Sequence, residues 1–378
     1  MSSELIHFNN AGASLVTPEV LEAQISYLQA EANLGGYEVA EKYADELEAF
    51  YTHAANFINA GSDEIAFTES ATVAWQRAFF SIPFDEGDII LTSKIEYASN
   101  YIAYLNLQKE KGVVIKVIPS IETGEVDLKA LKSMISEKVK LISITHIPTN
   151  GGIVNPAAEV GAIAKENKIL YLLDACQSVG QYPIDVKKLQ CDFLTTTGRK
   201  YLRAPRGTGF LYVNKNIIPQ LNPQNLDLHS ANWETKTSYT SRPDARIFET
   251  FECSLAAKRG MSVALQQANA IGKAQIWNRV TTLADYLRDQ LSQINGISVQ
   301  DLGKVKSGIV TFTAPVPTPE LKKKLHQKGV NVSMTFKSGT LLDMEERDLD
   351  QMIRSSVHYY NTKQEVDTFI SILKELIH

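Results

Sequence analysis

Six short runs that are apolar or β-branched almost throughout recur in the first two-thirds of the chain, and nothing else constrains the fold as much. They are Asp88–Leu91 (DIIL), Val113–Ile118 (VVIKVI), Leu141–Thr145 (LISIT), Ile169–Leu173 (ILYLL), Phe193–Thr196 (FLTT) and Phe210–Val213 (FLYV). Amphipathic stretches such as Leu128–Ile135 and Pro156–Lys165 lie between them. A strand that is apolar on both faces must be covered on both faces, and a mostly parallel sheet with helices above and below does this. Thr17-Pro18-Glu19 combines a hydroxyl cap, a proline at the first helical position and an acid in the first turn. Helices are therefore predicted at about 18–33 and 37–59, broken at Gly35-Gly36.

After about residue 255 the rhythm changes. Two long helices (about 254–271 and 274–293) precede short strands near Ile297–Val299, Gly308–Phe312 and Val330–Met334, and a helix over Lys363–Ile377 follows. This pattern predicts a smaller α+β unit packed on the first. The expected division is an N-terminal segment 1–16, a large α/β domain 17–255 and a C-terminal domain 256–378.

Charge and cysteine content narrow the function. Lys and Arg number 38 against 43 Asp and Glu, a net charge of −5, so the basic surplus of a nucleic-acid binder is missing. Cys176, Cys191 and Cys253 are too few for a disulfide framework and lack zinc-site spacing. The start, MSSELIHFNN, shows no signal-peptide pattern, and no apolar run approaches the roughly 18 residues of a membrane span. A cytoplasmic enzyme is expected, with small molecules or a second copy of itself as partners.

Two segments carry candidate chemistry. In Tyr171–Gln181 (YLLDACQSVGQ) an apolar strand ends at Asp174, at the carboxyl edge where open α/β sheets bind ligands. An isolated Asp there is most simply a cap on the next turn. With a pyridine nitrogen as its partner, it would instead keep a cofactor ring protonated and electron-accepting, and Gln177 could reach the ring's oxygen. Twenty-six residues on, Lys200 follows the strand Phe193–Thr196 within TGRKYLRAPRGTGFLYV. A lysine amine becomes a Schiff-base nucleophile when desolvated or crowded by another cation, and Arg199 and Arg203 are at hand. The turn-and-glycine segment after it suits a backbone that approaches a ligand closely. The seven histidines have no metal-ligand spacing, and for His146, at a strand end, a structural role is expected.

The order FNNAGAS, SAT, DACQSVGQ, TGRKYLRAPRGTGFLYV and RSSVHYYNT resembles the class V aminotransferase family of pyridoxal-phosphate enzymes. That family includes cysteine desulfurases, selenocysteine lyases, cysteine C–S lyases and isopenicillin N epimerase. The resemblance implies fold type I, with a large domain on a mostly parallel sheet of seven-stranded type and a smaller C-terminal α+β domain. It implies pyridoxal 5′-phosphate bound at Lys200, a phosphate seat at Ser70, Ala71 and Thr72, and a further phosphate contact from Thr197. Tyr97 falls where the desulfurases stack a histidine on the ring, and Asn150 lies on the loop that supplies an amide near the ring oxygen. Arg354 matches the arginine that clamps a substrate α-carboxylate, and Asn10 to Gly12 match a segment near the substrate. Arg199, with Arg203 and Arg206, is a candidate for a further substrate carboxylate, the alternative being a solvated cluster. A homodimer is implied as well.

Two departures matter. Lys337–Arg354 has no cysteine where the desulfurases place their nucleophile, so no persulfide relay is expected. Packing roles are expected for all three cysteines. Arg246–Ser254 (RIFETFECS) lacks the glycine-threonine that reaches a neighbouring subunit's phosphate in many relatives. With Arg199 beside the lysine and Tyr97 in place of histidine, the chain resembles most the hercynylcysteine sulfoxide lyase branch. The expected activity is C–S bond cleavage by α-proton abstraction and β-elimination. An aminotransferase, an epimerase, or a cysteine desulfurase or selenocysteine lyase is the alternative.

Overall fold

The computed structural model describes residues 5–377. The opening MSSE of the predicted N-terminal segment and His378 lie outside the described residues. The chain builds a seven-stranded sheet in the order Ile65–Thr68, Gly209–Val213, Phe193–Thr197, Leu170–Asp174, Val139–Thr145, Ile89–Ser93 and Val114–Ile118. The last five run parallel; Gly209–Val213 is antiparallel to both of its neighbours, so Ile65–Thr68 at the edge runs in the same direction as the five. The six apolar runs all become strands of this sheet, as expected of doubly covered strands. Ile65–Thr68 escaped notice because four residues form too short a window to read a period from, although all four are buried.

Local signals set the helix boundaries. Thr17 Oγ1 accepts from the Val20 N–H at 3.3 Å, and the helix Pro18–Leu34 stops at Gly35, whose φ of 99° a side chain would disfavour. The predicted second helix is two, Gly36–Lys42 and Ala44–Ile58.

A second sheet is antiparallel, in the order Ser298–Val299, Ile309–Thr313, Gln351–Ser356 and Ser333–Phe336. It shares a core with Leu283, Leu287, Phe369 and Leu373 from the flanking helices. The predicted strand over Val330–Met334 divides. Val330–Asn331 pairs in parallel with Ile6–His7, and Ser333–Phe336 pairs with the strand that carries Arg354. The chain's start is thereby tied to its C-terminal part. The helix Leu255–Ile271 packs on Pro18–Leu34 and Ala44–Ile58, placing Met261 and Leu265 in the large core. No helix among the described residues is long and apolar enough to cross a membrane.

Candidate active site

Register across the parallel strands assembles the site. Thr145 lies opposite Asp174, and Asp174 opposite Thr195, so three strand ends meet at one carboxyl edge. The turns beyond them carry Ile147 and Thr149, Cys176 and Gln177, and Arg199 and Lys200 into one cleft. Ser70, Ala71, Thr72, Tyr97, Asn100 and Thr197 complete its lining. Two glycines allow this closeness. A Cβ on Gly180, at φ +97°, would meet the Tyr201 carbonyl carbon at 2.3 Å, and one on Gly209 would meet the Thr196 oxygen at 2.4 Å and the Ser70 carbonyl carbon at 3.0 Å.

Asp174 forms the floor and is 5% exposed. Its Oδ1 accepts from the Cys176 N–H and its Oδ2 from Asn100 Nδ2, both at 2.9 Å. Burial pushes its carboxyl up, opposed by those hydrogen bonds and by the Lys200 amine. Lys200 is buried, which pulls its amine down, and the Arg199 guanidinium adds to the effect. Its Nζ donates to Cys176 Sγ at 3.2 Å. Ser70 caps the helix Ala71–Phe80, its Oγ accepting from the Val73 N–H at 3.2 Å, so that helix opens at the cleft wall. The first-turn N–H groups and the helix dipole there favour an anion.

Not every predicted residue arrives. Asn150 turns away, giving its Nδ2 to the Phe336 carbonyl, Thr340 Oγ1 and Met344 Sδ, each at 3.0 Å. Its neighbour Thr149 lines the cleft instead. Asn10 is fully buried and spends its amide holding chain segments together. Nδ2 donates to the Ser356 carbonyl at 2.7 Å and the His7 carbonyl at 3.2 Å, while Oδ1 accepts from Tyr360. Only the backbone of that segment reaches the site, through the Ala11 carbonyl to Gln177 Nε2 at 3.1 Å and the Gly12 carbonyl to Arg199. Arg203 does not crowd Lys200. It donates to the Leu15 carbonyl at 2.8 Å and lies over the Tyr360 ring at 4.2 Å.

Arg354 is at the margin. Its Nη1 donates to Thr149 Oγ1 at 2.7 Å, and its buried Nε has no partner among the described residues. Burial pulls its guanidinium down to about 10. His146 is buried against Tyr182, with ring centroids 4.8 Å apart, and takes no part in the cleft lining.

Cys176 corrects an expectation, because it lines the cleft and meets Lys200 rather than packing in the core. Its place in DACQ, between two residues already assigned to the site, was the available signal. Asn100 and Thr145 were missed altogether. The Glu96–Asn100 spacing in EYASN, one helical turn, was the only sequence hint.

A carboxylate floor, a buried lysine, a helix N-terminus and an arginine at the margin, on a mostly parallel sheet, define an α/β enzyme that handles an anionic, amine-reactive group. The family comparison agrees: the aminotransferase class-V model matches residues 6–369, and the chain belongs to that family. A probable cysteine desulfurase of Methanothermobacter thermautotrophicus is 28% identical over 97% of this chain and 94% of its own length. The solved apo cysteine desulfurase of Thermococcus onnurineus superposes with a TM-score of 0.91 at 24% identity, covering 99% of this chain and 94% of that one. The cystine C–S lyase C-DES, solved with cysteine persulfide, superposes at 0.89 and 20% identity over 99% of this chain and 98% of its own. These structures establish a shared fold.

Proposed function

We propose that this chain is a pyridoxal 5′-phosphate-dependent lyase that cleaves the C–S bond of a cysteine conjugate or cysteine sulfoxide, releasing pyruvate and ammonia. The observation that carries the reading is the meeting of the Lys200 amine and the Asp174 carboxylate in one cleft at the sheet's carboxyl edge. Pyridoxal phosphate is the cofactor of the class-V family, and the residues present fit it. Asp174 would face the ring nitrogen, Lys200 the aldehyde carbon, and Ser70 to Thr72 with Thr197 the phosphate. Tyr97, 37% exposed, offers a ring face on the open side. Arg354, with its unpartnered Nε, would take the substrate carboxylate. When bound, the cofactor supplies an electron sink for the pair left on the substrate's α-carbon.

The chain's own part in the chemistry is proton handling and exclusion of water. Lys200 Nζ, lowered by burial, takes the α-proton. Asp174 stays fixed by the Cys176 N–H and Asn100 and cannot turn away from the ring. The C–S bonding pair would leave with the sulfur, as a thiolate from a conjugate or a sulfenate from a sulfoxide, and water would then release pyruvate and ammonia; Lys337–Arg354 holds no cysteine to take up the sulfur.

The purified enzyme, incubated with S-substituted cysteines and their sulfoxides, is expected to release pyruvate and ammonia in equal amounts. A keto acid without ammonia would mark an aminotransferase, and an inverted α-carbon an epimerase.

One observation favours a second reading, a cysteine desulfurase: Cys176 Sγ lies 3.2 Å from Lys200 Nζ, and the curated relatives bear that name. Alanine and a protein-bound persulfide on Cys176 would select it. A homodimer is proposed alongside. Leu21, Ile25 and Leu28 form an exposed apolar stripe on the helix Pro18–Leu34, and sedimentation of the purified protein tests it.

A further inference from the structure

Behind the cleft floor lies a second buried carboxylate. Glu96 is 3% exposed, on the turn between Ile89–Ser93 and Ala98–Lys111. Its Oε1 accepts from the Tyr97 N–H at 3.1 Å, Asn100 Nδ2 at 2.8 Å and Thr145 Oγ1 at 2.6 Å. Its Oε2 has Thr92 Oγ1 at 3.1 Å. The same Asn100 Nδ2 reaches Asp174 Oδ2 at 2.9 Å, so one amide bridges two buried carboxylates.

Joint ionisation of two carboxylates joined through a neutral amide in a buried site is disfavoured, so one of them binds a proton more tightly than a free carboxyl does. The hydrogen bonds say where. Both Asp174 oxygens accept from N–H groups, which favours the ionised form there. Glu96 Oε2 instead faces a hydroxyl, which accepts as readily as it donates. A proton on Oε2 can be given to Thr92 Oγ1, and Oε1 keeps its three donors. In keeping with this, burial first and the charge of Asp174 next push the Glu96 carboxyl up to about 7, against its hydrogen bonds.

We propose that Glu96 is a positioning residue: it holds the proton of the buried pair and, through Asn100, keeps Asp174 ionised and turned to the cleft. This rests on the reading of the cleft as a pyridoxal phosphate site. The titratable groups acting on Glu96 are Asp174, two strands away across Val139–Thr145, and the phenols of Tyr104 and Tyr171, both held protonated by burial. Lys200 acts on Asp174 from its own turn.

Glu96→Gln imitates the protonated acid, since its carbonyl keeps the three donors and its amide donates to Thr92. Glu96→Leu removes the acceptor and leaves the Asn100 amide free to turn. Asn100→Ala cuts the bridge from the other side and serves if the leucine variant does not fold. Each protein is titrated with pyridoxal phosphate, following the visible absorbance of the complex, and the melting temperature of the cofactor-free form is measured in parallel. Infrared spectra of the cofactor-free wild type and Glu96→Gln are compared in the carboxylic-acid carbonyl region.

The expected result is a Kd within about twofold of wild type for Glu96→Gln and at least about tenfold weaker for Glu96→Leu or Asn100→Ala. The wild type alone shows an acid carbonyl band, which fades as pH rises through about 7. Unchanged Kd and absorbance in Glu96→Leu and Asn100→Ala, whatever their melting temperatures, would overturn the inference. So would a Glu96→Gln as weak as the leucine variant, or identical infrared spectra. A wild type that binds no pyridoxal phosphate would overturn the cofactor reading itself, and this inference with it.

Discussion

The floor of the cleft and its rim are built by opposite means. On the floor, Thr145, Asp174 and Thr197 end adjacent parallel strands, and strand pairing alone brings their side chains and following turns to one edge. Around the rim, Asn10, Asn150 and Arg354 belong to segments far apart in sequence, and polar side chains are needed to hold those segments together. Asn10 and Asn150 are consumed by that task, and Arg354 spends one nitrogen on Thr149. Strand pairing places the floor groups through backbone hydrogen bonds, and their side chains then find partners of their own, as Asp174 does in the Cys176 N–H and Asn100; on the rim the side-chain contacts themselves do the placing.

Replacing Lys200 with Ala should lower the elimination rate by about 10²–10⁴-fold, the usual worth of a general base, with folding retained. Steady-state release of pyruvate reads this directly. A smaller loss would move the proton transfer away from the floor.

The buried carboxylates beneath the floor give the next largest effect. The folded Glu96 carboxyl titrates near 7, above its ordinary 4.5, so its contribution to stability is complete below about 4.5 and lost as pH rises through about 7. The cofactor-free protein should lose about 3 kcal/mol across that window from this group. Denaturant unfolding at several pH values should show the slope in the wild type and its absence in Glu96→Gln.

On the rim, Asn10→Ala should cost about 2 kcal/mol of unfolding free energy, since it strands the Tyr360 hydroxyl and the Ser356 carbonyl. The KM of the folded enzyme should barely move. A rise in KM without loss of stability would return Asn10 to the substrate. Arg354→Lys should do the reverse, raising KM about tenfold with little change in kcat or melting temperature. Cys176→Ala is the mildest change, and elimination should stay within about twofold of wild type. Abolished sulfur release would instead make Cys176 the sulfur acceptor.

The legibility of the site follows the same division. Asp174 and Lys200 could be found because each ends or follows an apolar run, and apolar runs in a covered sheet announce themselves. Ile65–Thr68 was too short to announce itself, and Gln351–Ser356 alternates too little, although five of its six residues are buried. Glu96 and Asn100 carried no readable signal beyond their helical spacing, because burial is not written in spacing. Asn150 was misjudged because a loop's direction depends on what it packs against, here Thr340 and Met344.

The sequence by itself determined six of the sheet's seven strands, their helical covering, the family, and Asp174 and Lys200 at the cleft. Each of these depends on local pattern or on residues at strand ends, where backbone pairing dictates direction. Only the tertiary structure decided that Cys176 meets the lysine, that Asn10 is a structural tie, and that Glu96 lies under Asp174. Those outcomes depend on which distant segments exclude water from a given polar atom, and that is a property of packing rather than of any stretch of chain.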